Sequence, residues 1–131
     1  MKNRALVKQW LIRATSNLNR ARAGKIHNTI LYEDLCFDCQ QTVEKSLKAL
    51  LIAHDVECPH THIIAHLLET LEQNRIPVPD DIKSSVELTE YAVHTRYPGL
   101  YEPVTVEEYR EALAVAAVSY THLTLPTNRE V

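Results

Sequence analysis

The stretch LYEDLCFDCQQTVEKSLKALLIAH, residues 31–54, decides the fold. Leu35, Cys36, Cys39, Val43, Leu47, Leu50 and Leu51 recur at three- and four-residue steps, the period of a helix with one apolar stripe. Asp34, Asp38, Gln41, Lys45 and Lys48 fall on another face at the same spacing. Glu44 and Lys48 stand one turn apart, in the order that favours an ion pair. The pattern predicts a helix from about Leu31 to His54.

On the N-terminal side, Val7, Trp10, Leu11, Ala14, Leu18 and Ala21 predict a first helix from about Asn3 to Arg22, stopped by Gly24. On the C-terminal side, the loop VECPHTH precedes a third helix, about Ile63 to Gln73, with Ile64, Leu67, Leu68 and Leu71 facing in. Two prolines in NRIPVPDD break it. A fourth helix is expected from Pro79 to about His94, carrying Ile82, Val86, Leu88, Tyr91 and Val93. Thr105 with Glu108 three residues on reads as a capping box that starts a fifth helix, Val106 to about Tyr120. No strand alternation or internal repeat occurs. The fold class is therefore all-α, a four- to five-helix antiparallel bundle over residues 1–118. Its expected core includes Trp10, Leu35, Val43, Leu47, Leu50, Leu67 and Leu113.

Residues 119–131, SYTHLTLPTNREV, lack a helical period. They resemble a peptide produced when sequencing adapters are translated, so a non-native or disordered tail is expected there, and His122 is not read as a functional group.

Composition agrees. Only two Gly and one Phe occur in 131 residues, a length sufficient for one domain with its own core. No apolar run reaches the ~18 residues of a membrane span. The N-terminal segment is interrupted by charge and does not read as a signal peptide. Three Cys without an export signal point to reduced thiols and a cytoplasmic protein. The net charge of −3 is unevenly placed: Met1 to Tyr32 holds seven basic residues and no acidic one, and the rest balances to −10. Such a basic first helix either meets a polyanion or packs beside acidic helices of the same domain.

Within residues 31–54, Asp34, Phe37, Gln40, Gln41, Glu44, Lys45, Lys48 and Ala49 follow an acidic–aromatic–Gln-Gln–Glu-Lys–Lys-Ala order. That order resembles the central helix of the HEPN family. Trp10 in the first helix and the Arg96-Tyr97-Pro98 turn before the last helix resemble it too. The resemblance spans about residues 3–118 and implies a helical bundle that dimerises. It also implies a nucleotidyltransferase as partner in a toxin–antitoxin-type pair, and no cofactor. Many members are metal-independent ribonucleases using an Arg, four to six intervening residues and a His, with the Arg holding phosphate charge and the His moving protons. Arg96 stands where that Arg is expected, yet no His follows at a permitted spacing; Tyr101 does, and its ordinary pKa near 10 suits it poorly to proton transfer.

Gln41, Lys45 and Lys48, with Arg96 and Tyr97, form the candidate nucleotide or phosphate site. The alternative for Gln41 and Glu44 is an interhelical hydrogen-bond network, or a solvated face for the whole set. Arg22 and His27 match the ribonuclease spacing in the wrong part of the chain. Cys36, Cys39, Cys58 and His62 resemble a zinc set, but two of the cysteines fall on an apolar stripe, where Cys packs as a small hydrophobe, so no metal is expected. His62 and His66, one turn apart, read as loop residues beside His54 and His60. The functional expectation is a helical binding and interaction module, dimeric and paired with a nucleotidyltransferase, that holds nucleotide or RNA without cleaving it. A ribonuclease toxin using Arg96, and a purely structural adaptor, are the alternatives.

Overall fold

In the computed structural model, residues 3–93 and 98–130 are described, with side chains through residue 125. The order is α1 (Arg4–Ala23), α2 (Tyr32–Ala53), α3 (Ile64–Gln73), α4 (Asp80–Lys83), a 3₁₀ segment (Ser84–Thr89), α5 (Glu90–Val93) and α6 (Val106–Glu130). No strand occurs among the described residues, so the chain is an all-α bundle.

α2 lies at the centre, packed between α1 and α6 and touched by α3, the 3₁₀ segment and α5. Its whole predicted stripe is buried, with Cys36, Cys39, Val43, Leu47 and Leu51 at 0% exposure. Burial goes further than one stripe, because Asp38, Gln40, Thr42, Glu44 and Ser46 are buried as well. Thr42 and Ser46 satisfy themselves by donating to the carbonyls of Asp38 and Thr42, one turn back. A second cluster of Val7, Leu11, Ala49, Ile52 and Ala53 joins the N-terminal part of α1 to the C-terminal part of α2.

α1 ends at Gly24, whose φ of +68° is a conformation that side-chain-bearing residues rarely adopt. The hydroxyl of Tyr109 on α6 donates to the Ala21 carbonyl there. At the other end of the chain the capping box forms as its residues predict: Glu108 N–H donates to Thr105 Oγ1 at 3.1 Å, and Thr105 N–H to Glu108 Oε1 at 3.1 Å.

Two expectations need correction. The predicted fourth helix is not one α-helix but α4, a 3₁₀ segment and α5. Its buried residues, Ile82, Ser85, Leu88 and Tyr91, fall three apart, which is the turn of a 3₁₀ helix. Ser84 Oγ donates to the Asp81 carbonyl at the point where the winding changes. Trp10 and Leu113 are only partly buried, each packed at the rim of a core cluster. The segment whose sequence predicts a non-native or disordered tail continues α6 to Glu130. Leu123, at 3% exposure, enters the core, and the hydroxyls of Tyr120 and Thr15 share a 2.7 Å hydrogen bond. A 3- and 4-residue rhythm through Ala112, Ala116, Ser119 and Leu123 continues across the supposed boundary, hidden in the sequence by small and polar residues.

Candidate functional site

The polar residues of α2 divide into two hydrogen-bonded groups, each reaching a neighbouring element. The first centres on Asn17 of α1, which is 7% exposed. Its Nδ2 donates to Asp38 Oδ1 at 2.8 Å, and its Oδ1 accepts from Lys45 Nζ at 2.8 Å. Arg20, one turn after Asn17, places Nε 3.4 Å from Asp38 Oδ2. Burial raises the Asp38 carboxyl pKa, against the bond from Asn17 and the charge of Arg20. The Lys45 ammonium is shifted down, first by burial; Glu44 opposes that shift, and the like charges of Arg13 and Arg20 add to it.

The second group centres on Glu44, which is 3% exposed. Lys48 Nζ donates to Oε2 at 2.9 Å. Gln40 Nε2 at 3.1 Å, Gln41 Nε2 at 3.4 Å and His62 Nδ1 at 3.1 Å converge on Oε1. Burial alone would raise this carboxyl, but the bonds from Lys48, Gln40 and His62 win and hold it below its ordinary value. Gln40, completely buried, also donates to the His62 backbone carbonyl at 3.0 Å, so the 54–63 connection is held to α2 by side chain and backbone together. Lys48 Nζ also stands 5.4 Å from the centre of the Trp10 ring.

Lys45 thus joins a bond between two helices, while Gln41 and Lys48 bond to Glu44 within α2, and none of the three is a freely solvated group. The structure does not bring them to a single point: Lys45 belongs to the Asn17 group, and Gln41 and Lys48 belong to the Glu44 group. Arg96 and Tyr97 lie outside the described residues. Tyr101 follows them in an exposed position. Arg22 and His27 are both exposed near the end of α1, with His27 bonded to Thr29.

Gln40 and His62 are the residues that sequence reasoning undervalued. The Gln-Gln pair was visible, but only the fold decides which glutamine turns inward. His62 has a largely exposed ring whose one bonded nitrogen meets a buried carboxylate. Cys36 and Cys39 belong to the main core, and their thiols are pushed up by desolvation, Cys36 to about 12. Cys58 packs at the edge of both clusters, and all three cysteines are free. Among the described residues no group of His, Cys, Asp and Glu has the arrangement of a metal site.

The model of the HEPN domain family matches residues 7–120. Two solved structures resemble the chain along nearly its whole length. One is ST0689, an archaeal HEPN homologue, 28% identical, with a TM-score of 0.73 over 92% of this chain and 97% of that one. The other is TT1696 from Thermus thermophilus, 28% identical, with a TM-score of 0.77 over 95% of this chain and 98% of that one. No curated protein matches the chain.

Proposed function

We propose, since the chain belongs to the HEPN domain family, that it is a binding and interaction module that holds a nucleotide or RNA by its phosphates without cleaving it. In this reading it is a cytoplasmic homodimer and the partner of a nucleotidyltransferase in a toxin–antitoxin-type pair. The observation that carries the phosphate reading is the Asn17–Lys45 contact at 2.8 Å. It holds an ammonium in place at the edge of two helices, beside Arg20, so little side-chain freedom is left to lose when an anion arrives. Lys48 is a second cation of α2, and Arg96 and Tyr97, which the family resemblance adds to the set, lie outside the described residues.

The same residues argue against proton transfer. Glu44 already accepts from four side chains. Arg96 remains protonated and cannot shuttle a proton, and no His follows it after four to six intervening residues. No helix among the described residues is long and apolar enough to cross a membrane. The test is a pair of assays on the purified protein with a short labelled RNA, binding and cleavage, repeated with Arg96→Ala. Binding that weakens in the variant, with no cleavage in either protein, is the expected result. Robust cleavage lost in Arg96→Ala would overturn the reading in favour of a ribonuclease.

A further inference from the structure

If α1 were basic because it packs beside acidic helices, its cations would meet carboxylates. Among the described residues only Arg20 does, pairing with Asp38. Lys25 lies over the Tyr32 ring, and Arg4, Lys8, Arg13 and Arg22 are exposed with no carboxylate of the described side chains within ion-pair distance. These charges also divide by face. At 100° per residue, Arg13, Asn17 and Arg20 follow the edge of α1 that turns toward α2, where Lys45 meets them. Arg4, Lys8 and Arg22 follow the opposite edge, on the side where Thr15 meets α6. Arg13 and Arg20 both act on the Lys45 ammonium, in a field that the carboxylates of Glu44 and Asp38 also enter.

We propose that Arg13 and Arg20 on α1, together with Lys45 on α2, form a strip that takes the backbone of a single-stranded nucleic acid. The proposal rests on the phosphate reading above and extends it to α1. Arg13 to Arg20 spans about 10 Å at 1.5 Å per helical residue, long enough to meet more than one phosphate of a strand. The strip is one side chain wide, and Asp34 and Asp38 stand beside its Arg20 end. One phosphate chain fits past those carboxylates; the second strand of a duplex would bring its charge against them. Such cations contact phosphates and carry no base or sugar selectivity. Trp10, the sole tryptophan, lies one turn before Arg13 on the same edge and reports events there.

The experiment uses the full chain and a fluorescein-labelled twelve-nucleotide single strand, titrated at several salt concentrations. Arg13→Ala is the decisive variant because Arg13 has no hydrogen-bond or ion-pair partner among the described residues. Arg110→Ala, on α6 outside the strip, is the control, and circular dichroism confirms that both remain folded. Arg13→Ala should weaken binding about three- to tenfold and reduce the slope of log K against log salt by about 0.7, with Arg110→Ala unchanged. RNA and DNA strands of the same sequence should bind within about threefold of each other, and a blunt duplex at least tenfold more weakly. Trp10 fluorescence should change with the same midpoint. Equal losses in Arg13→Ala and Arg110→Ala, or a duplex as tight as the single strand, would overturn the strip. Binding that depends on Lys45 but ignores Arg13 would remove α1 from the site and leave the phosphate reading standing. No binding of any strand would remove both.

Discussion

Replacing Glu44 by Gln tests the centre of the structure with almost no change of shape. The carboxylate is 3% exposed, and the Lys48 side chain that pairs with it is 12% exposed, so solvent does little to screen the interaction. The substitution removes one charge-assisted bond, worth about 1.5–3 kcal/mol, and leaves the Lys48 ammonium facing a neutral amide oxygen. It also turns one amide donor toward donors that previously shared a carboxylate oxygen. Breaking one side of a buried pair costs about 3–5 kcal/mol; the amide keeps an acceptor, so the lower end applies, about 3 kcal/mol. For a domain of this size that lowers the thermal midpoint by roughly 12 °C. Acidity supplies an internal control. The Glu44 carboxyl lies below its ordinary 4.5 in the folded chain, so its stabilisation is complete above that value and is lost as the pH falls through the folded one. Asp38 has the opposite sign: its carboxyl is raised above 3.8, so its ionised form costs stability at neutral pH, and acid relieves that cost. The gap between wild type and Glu44→Gln, measured by urea unfolding, should therefore be full at pH 7 and shrink below pH 4.5. A loss under 1 kcal/mol at pH 7, or a gap independent of pH, would refute the account of Glu44 as an ionised hub.

Leu47 is fully buried, and Leu47→Ala should cost about 2–5 kcal/mol in urea unfolding without changing the helical signal at low temperature. Ending the chain after Val118 removes Leu123 from the core and the Tyr120–Thr15 bond; the thermal midpoint should fall by about 10 °C, and an unchanged midpoint would restore the tail to the dispensable status its composition suggests. Sedimentation at high micromolar concentration should find a dimer, and a strict monomer would count against that part of the proposed assembly.

The apolar framework was legible because its signal is periodic. Leu35 to Leu51 on α2, and Val7 to Ala21 on α1, sit in the core at the positions their spacing assigns. What escaped had a different period or a distant partner. Ile82, Ser85, Leu88 and Tyr91 recur at three, and a helical template at 3.6 reads them as an ordinary helix. The candidate site failed in the second way. Gln40 and Gln41 are equivalent in a one-dimensional pattern; the loop at His62, 22 residues on, decides which one is buried. Asn17 looks like a helix-surface residue until Asp38 and Lys45 are both brought to its amide.

The bond from Tyr109 to the Ala21 carbonyl has a consequence for the order in which the chain assembles. α1 and α2 are joined by a connection of eight residues, so their pairing needs only a short loop to close. The carbonyl at the end of α1, however, receives its donor from a residue 88 positions away. An α1–α2 hairpin formed early would carry that end open to water and the outer face of α2 uncovered until α6 arrived. The kinetic signature follows. Tyr109→Phe, which deletes the hydroxyl and spares the ring, should leave the refolding rate nearly unchanged and appear almost entirely as faster unfolding, the behaviour of a contact made after the rate-limiting step.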